Sequence, residues 1–233
     1  MIDLNALPTD LRVDAYVGLS YQYVYQGVAQ RADDAVPRVG LSVQHRSGWF
    51  LDTWGARTDA WEYHHYGSFE LADAAEWDLN LGYSHAIDED WQWALSHAWI
   101  ERDQDADNPY GDYREWRANL FYRDAVSLLL AYSDDYRQSG WPSFMAEWDL
   151  RQPLWQDVDL HAGMGWVEGV GGRDNQYAYG WLGVGGELGW DRQRVRWQAR
   201  CYRSGSGADQ VLGVSRAGTQ WEIGVVVPLG LWP

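Results

Sequence analysis

Eleven charged residues lie on the polar side of segments whose other side is apolar: Arg12, Arg38, Arg46, Arg194, Arg196 and Arg200, and Glu76, Asp78, Glu147, Asp149 and Asp159. Arginines gathered on one wall of a water-filled passage, facing carboxylates on another, set up a transverse field. Such a field orients polar solutes and selects ions by sign. The bland alternative is that the same charges pair with one another and simply fill and stabilise an interior. Covalent chemistry has less to work with. Ser84-His85 and Ser96-His97 pair a nucleophile with a base in sequence, but neighbours on an extended strand point to opposite faces, so neither is a catalytic couple. His85 and His97 share a face and are expected to meet across a hairpin, yet no Ser or Asn accompanies them there, and the chain is read as a non-enzyme. His64-His65 has no partner at metal-ligand spacing. Asp103, Asp105 and Asp107 resemble the start of a calcium loop, but Asn108 replaces the turn glycine and Arg114 replaces the closing glutamate. A solvated acidic loop is the simpler reading there and at Asp33-Asp34 and Asp134-Asp135, so no metal and no cofactor is expected. Cys201 alternates with Ala199 and Trp197 and reads as a small apolar side chain.

The elements that would position these charges are strands. Leu11, Val13, Ala15, Val17, Leu19, Tyr21, Tyr23 and Tyr25 are all apolar or aromatic, with mostly polar or small residues between them. A period of two held this long belongs to a strand, because a helix would smear it around every face. The alternation returns in Val39–His45, Trp77–His85, Trp91–Trp99, Trp116–Tyr122, Val126–Tyr132 and Phe144–Leu150. It continues in Val158–Trp166, Leu182–Trp190, Val195–Cys201 and Thr219–Val227. A less regular strand near 49–58 makes about twelve, most close to the roughly 9–11 residues of a tilted membrane-crossing strand.

The connections alternate as well. Tight gaps fall at Ser47-Gly48, Asp88–Asp90, Arg123–Ala125 and Asp191–Gln193, with a slightly longer one at 152–157. Longer polar or glycine-rich gaps fall at 29–37, 59–75, 102–112, 133–142, 169–176 and 204–217. Outer-membrane barrels alternate short periplasmic turns with long extracellular loops in this way. The expected fold is therefore all-β: a single antiparallel transmembrane barrel over residues 11–233, preceded by a periplasmic segment at 1–10.

Twelve alternating strands also suit a soluble sandwich with its apolar face inward. The apolar face here carries Trp77, Trp91, Trp99, Trp116, Tyr122, Trp190 and Trp221 mostly near strand ends, with Leu, Val and Ala between. Amphipathic rings gather at the two headgroup levels, so these seven are expected to form aromatic girdles facing lipid. The strands are long, and the opposite face is rich in Gly, Ser and Asn, which also favours lipid.

Composition excludes other classes. All 18 basic residues are arginine, and against 34 carboxylates they leave a net charge of −16, which phosphate backbones repel, so no nucleic-acid partner is expected. A chain that is 46% hydrophobic and 15% aromatic is too apolar for disorder, and one cysteine excludes an internal disulfide framework. Met1-Ile2-Asp3-Leu4 shows no leader, so the expectation is a mature form placed in the bacterial outer membrane with its signal peptide removed.

Three stretches resemble a known family. Leu19–Gln30 resembles the first strand of the TorF-type porin family of proteobacteria. His45–Gly55, with its His-x-Ser-Gly-aromatic-aromatic run followed by Trp-Gly, resembles that family's hairpin, and Glu76–Tyr83 its next strand. The chain has Gln26 where the family usually carries Arg, and Asp52 where it carries Gly. The likeness covers residues 17–86. It implies an outer-membrane barrel and a pore, and it supplies no catalytic residues. Glu222–Leu229 looks like the last-strand signal read by the barrel-assembly machinery, although the chain ends Leu231-Trp232-Pro233 rather than on an aromatic.

The sequence thus predicts an outer-membrane, porin-like channel for passive diffusion of ions or small polar solutes. Its expected partners are outer-membrane lipid and lipopolysaccharide, the assembly machinery, and those solutes. A plugged structural or adhesive barrel is the first alternative, and a soluble Trp-rich glycan-binding β-protein the second.

Overall fold

The computed structural model describes residues 10–64, 68–102, 112–138, 140–169, 176–190, 193–208 and 218–229. Twelve strands follow in order: β1 (Leu11–Tyr25), β2 (Val28–His45), β3 (Trp49–His64), β4 (Ser68–Ala86), β5 (Trp91–Arg102) and β6 (Tyr113–Tyr122). They continue as β7 (Val126–Ser133), β8 (Ser143–Trp155), β9 (Val158–Glu168), β10 (Gln176–Trp190), β11 (Gln193–Ser204) and β12 (Thr219–Pro228). Each pairs antiparallel with its sequence neighbours, and β1 closes on β12 through the register Leu19↔Val225 and Tyr21↔Ile223. Closure leaves no strand edge, which is one of the two ways a chain satisfies its backbone polar groups inside lipid. Among the described residues, no helix is long and apolar enough to cross a membrane.

The side chains sort as the period of two requires, but inverted relative to a water-soluble protein. Leu19, Leu41, Leu51, Leu79, Leu81, Leu95, Leu130, Leu150, Leu182 and Ile223 stand exposed on the outside, while Ser20, Glu76, Asp78, Ser96, Glu115 and Glu222 are buried within. A soluble sandwich with an inward apolar face does not fit this arrangement. The outer aromatics fall in two rows. Trp91 pairs with Tyr122 at one end of the strands, their rings 4.8 Å apart, beside Trp49, Tyr83 and Trp93. Trp77, Trp99, Trp116 and Tyr132 form the other row, with Trp116 55% exposed, and Trp221 stands outside on β12. Along β6 the rows are six residues apart, about 20 Å of strand, with Ala118 and Leu120 between. The Trp190 side chain lies outside the described residues.

Two loop expectations change. Residues 29–37 are strand: β1 and β2 run on into a tight turn at Gln26-Gly27, with φ of 52° and 72°. Much of 59–75 is strand too, because β3 and β4 stay paired from Trp49↔Tyr83 to His64↔Ser68. Hydrogen-bonded pairing with the neighbouring strand outweighs the polar composition that read as loop. At 18 and 19 residues, β2 and β4 are almost twice the roughly 9–11 needed to cross a bilayer. The remaining connections still alternate, with short turns near 46–48, 87–90, 123–125 and 156–157 and longer connections at the opposite end. The Asp103, Asp105, Asp107 loop and His65 lie outside the described residues.

Candidate functional site: the lumen and its infolded hairpin

The lumen is built by alternation, which breaks partway along β1. In β1 the even-numbered residues face inward up to Ser20. Register shifts then fall between Tyr21 and Tyr23 and between Tyr23 and Val24, with Gln22 at φ 64°. A bulge of this kind bends a strand and re-aims its side chains. Beyond it Tyr23 and Tyr25, expected on the lipid face with Tyr21, turn into the barrel. The hydroxyl of Tyr23 donates to Glu76 on β4 at 3.0 Å, and its ring meets Trp54 of β3 edge-on at 5.6 Å.

The bent hairpin crosses the lumen. At its tip Gln26 Nε2 donates to Met145 Sδ on β8 at 3.2 Å, and the Tyr136 hydroxyl donates to Gln26 Oε1 at 3.2 Å. β8 lies six strands from β2 in either direction around the ring, so the tip reaches the opposite wall. Gln30 Oε1 accepts from Arg137 at 2.9 Å and from Arg102 of β5 at 3.4 Å. Gly27 lies against the Tyr179 side chain so closely that a Cβ there would collide with the ring, and its positive φ also favours glycine. Val24 and Val28 join Ile100, Tyr113, Tyr136, Met145, Val167, Tyr177, Tyr179, Trp181 and Tyr202 in one buried cluster. The long-loop half of the barrel is therefore closed by packed side chains.

Two further arrays line the wall. Tyr177, Tyr179, Trp181 and Tyr202 form a ladder on β10 and β11, with successive ring centroids 6.1, 6.0 and 5.9 Å apart. The Tyr179 and Trp181 rings lie over Gly165 and Gly163 of β9, where a side chain would occupy their space. Sequence reasoning missed this ladder because residues 177–182 are apolar on both faces, so alternation cannot say which side turns inward.

The second array is charge. Glu76 binds Arg102 of β5, and Asp78 lies 3.7 Å from Arg117 of β6, which also binds Glu115 at 2.9 Å. Glu147 accepts from the Tyr179 hydroxyl, and Asp159 binds Arg151 at 2.6 Å. The carboxylates expected on one wall are thus interleaved with arginines from neighbouring strands. Among the expected arginines, Arg38 binds Glu222 of β12, which also accepts from the Tyr202 hydroxyl at 3.1 Å. Arg200 donates to Tyr202 at 3.5 Å. Arg12, Arg194 and Arg196 sit near the short-turn rim with Asp14 and Glu187, and Arg46 sits in the β2–β3 turn. Glu222 was not among the charges expected in the lumen; closure of β12 between β11 and β1 places it among the arginines.

Below the hairpin, in the short-turn half, a cavity of about 400 Å³ remains, lined by inward residues of β3 to β7 and by Tyr25. Outside the barrel the histidines do not assemble a site. His97 lies opposite Leu81 and His85 opposite Trp93, so the two do not meet, and the His97 ring packs 4.6 Å from both Trp99 and Trp116. No group of metal-ligating side chains is present among the described residues.

No family model matches the chain, and no curated protein does. Solved structures do. The chain is similar to a structure described as "KdgM porin", at 11% identity and a TM-score of 0.53, covering 92% of this chain and 98% of that one. It is also similar to the COG4313 outer membrane channel from Pseudomonas putida F1, at 11% identity and a TM-score of 0.52, covering 97% of both. The fold is that of outer-membrane porin barrels, and the neighbours leave the finer TorF-type resemblance where the sequence put it.

Proposed function

We propose that this protein is a narrow outer-membrane channel for passive movement of ions and small polar solutes, with the β1–β2 hairpin as its constriction. The observation that carries this reading is the interior itself. Charged and amide side chains line it from the short-turn rim to mid-height, and the element that closes the upper half is one hairpin bent inward at a bulge. A plug built from wall side chains alone would have no moving part. This one hangs from two strands and is held at its tip by four side-chain hydrogen bonds. Conduction requires the tip to withdraw or shift.

The arginines of β1, β2 and β11, set against Glu76, Asp78, Glu147 and Asp149, would bias which ion passes. The exposed Arg12, Arg194 and Arg196 act at the mouth and the paired Arg38 and Arg200 deeper inside. The two aromatic rows face lipid and lipopolysaccharide, and β12 carries the signal for barrel assembly. The buried cluster around Val28 favours a second reading, a barrel permanently plugged and serving a structural or adhesive role. Planar-bilayer recording of the refolded chain in a salt gradient separates them. Discrete conductance steps with a non-zero reversal potential support the channel. A silent bilayer with insertion verified selects the plugged barrel.

A further inference from the structure

We propose that the cavity in the short-turn half of the lumen binds a compact organic cation, an alkylated ammonium. The inference deepens the channel reading and rests on it in one respect, that solutes reach this part of the lumen. The volume of about 400 Å³ falls in the range of small-molecule sites, roughly 300–1,000 Å³. Phe50 and Trp54 of β3, Phe121 of β6 and Tyr25 of the hairpin line it, and the small side chains of Ala94 and Ser96 on β5 keep it open. The Phe50 ring lies against Gly82 of β4 so closely that a Cβ there would collide with it, which sets the ring along the wall.

Charge decides what those aromatic faces receive. Asp52 is half-buried on the lumen face of β3, accepts from the Ser42 hydroxyl of β2, and has no arginine partner among the described residues. Asp78 and, behind it, Glu115 share one guanidinium, Arg117, at 3.7 and 2.9 Å, while Arg102 is taken by Glu76. Three carboxylates around one guanidinium leave the cavity anionic. It repels anions, and its apolar walls strengthen the attraction for a cation. A neutral solute gains nothing from that charge. Cations are then sorted by what they ask of the walls. A metal ion needs several oxygen ligands, and no group of three ligating side chains is present among the described residues. A primary ammonium keeps a strong hydration shell and three N–H donors. Asp78 Oδ1 and Asn80 Oδ1 are sealed from the cavity and cannot receive them. An alkylated ammonium makes no such demand: its charge faces Asp52, and its methyl groups lie over aromatic rings in a cation–π arrangement.

The test uses the full chain refolded in a maltoside detergent, because amine-oxide and phosphocholine detergents carry an alkylated nitrogen of their own. Three solutes are titrated by calorimetry: choline, ethanolamine, and the neutral isostere of choline in which a tert-butyl group replaces the trimethylammonium. Ethanolamine lacks choline's methyl groups, and the isostere lacks its charge. Choline is expected to bind in the millimolar range, with each of the other two at least about fivefold weaker. Asp52→Asn keeps the acceptor for Ser42 and should bring choline down to the level of the neutral isostere. Trp54→Leu should weaken choline by about three- to thirtyfold, the loss of one aromatic face. Barrel integrity in both variants is checked by circular dichroism and by gel mobility without boiling. Choline binding that is weakened in both folded variants supports the site even if planar bilayers stay silent, in which case the channel reading alone fails. A conducting barrel that ignores choline overturns the site and leaves the channel reading standing. Ethanolamine or the neutral isostere binding as tightly as choline also overturns it, and so does choline binding that Asp52→Asn leaves unchanged.

Discussion

Replacing Glu76 by Gln tests how the hairpin is tied to the wall. The Glu76 carboxylate is 3% exposed and binds Arg102, whose side chain is 7% exposed, while also accepting from the Tyr23 hydroxyl. Gln keeps an acceptor for Tyr23 but removes the charge that compensates a buried guanidinium. Breaking a buried pair from one side costs about 3–5 kcal/mol. Part of the Arg102 bonding survives through Gln30, so the lower end of that range, about 3 kcal/mol, is expected. Replacing both partners, Glu76→Gln with Arg102→Met, removes the orphaned charge and should recover all but about 1–2 kcal/mol. Urea titration of the barrel refolded into lipid vesicles, followed by tryptophan fluorescence and gel mobility, gives each value. A single substitution that costs less than about 1 kcal/mol, the scale of an exposed ion pair, would refute the claim that the pair is buried and structural. So would a double variant as unstable as the sum of its parts.

Three other outcomes follow from the same structure. Val28→Ala with Gln30→Ala removes two buried methyl groups' worth of packing and the acceptor of two arginines, together about 3–5 kcal/mol of hairpin anchoring. Single-channel recording should then show openings about a hundredfold to a few thousandfold more frequent, since each 1.4 kcal/mol is about tenfold; an unchanged open probability argues against the hairpin as the constriction. Arg196→Glu with Arg200→Glu should move the reversal potential toward cation selectivity, and no movement counts against a field set by those arginines. In the short turns, Arg123 donates to both oxygens of Asp90 at 2.7 and 3.2 Å, and this hydrogen bonding holds the Asp90 carboxyl below its ordinary range. A carboxyl lowered in the folded state contributes stability above its unfolded pKa and loses it as pH falls through the folded one. An NMR titration should place Asp90 below a free aspartate in the parent and return it to the ordinary value in Arg123→Ala.

Much of this barrel is legible because one physical rule governs it. Lipid outside and polar side chains inside impose a strict period of two, so Trp77-Leu79-Leu81-Tyr83 and Glu76-Asp78-Asn80 separate on sight, and short turns such as Asp88–Asp90 mark one rim. The rule fails where its premise fails. At Gln22 the bulge inserts a step into the alternation, yet Tyr21, Tyr23 and Tyr25 go on reading as one face, because all three are aromatic. The available signal was Gln26-Gly27, a pair suited to positive φ, between paired segments short enough for a hairpin. Polar stretches such as 29–37 read as loop because composition reports solvent exposure, whereas pairing with a neighbouring strand decides extension. The charged walls are legible by type but not by partner: Glu222 reaches Arg38 only through ring closure, a contact 184 residues apart in sequence.

The central claim is that a conducting lumen is constricted by the infolded hairpin. It is tested most directly by recording the parent beside a chain in which residues 22–34 are replaced by Asn-Gly, joining Tyr21 to its cross-strand partner Ala35. Small or infrequent conductance steps are expected in the parent and large, sustained ones in the shortened barrel, with both folded and inserted. Equal conductance in the two, or silence in both, would contradict it.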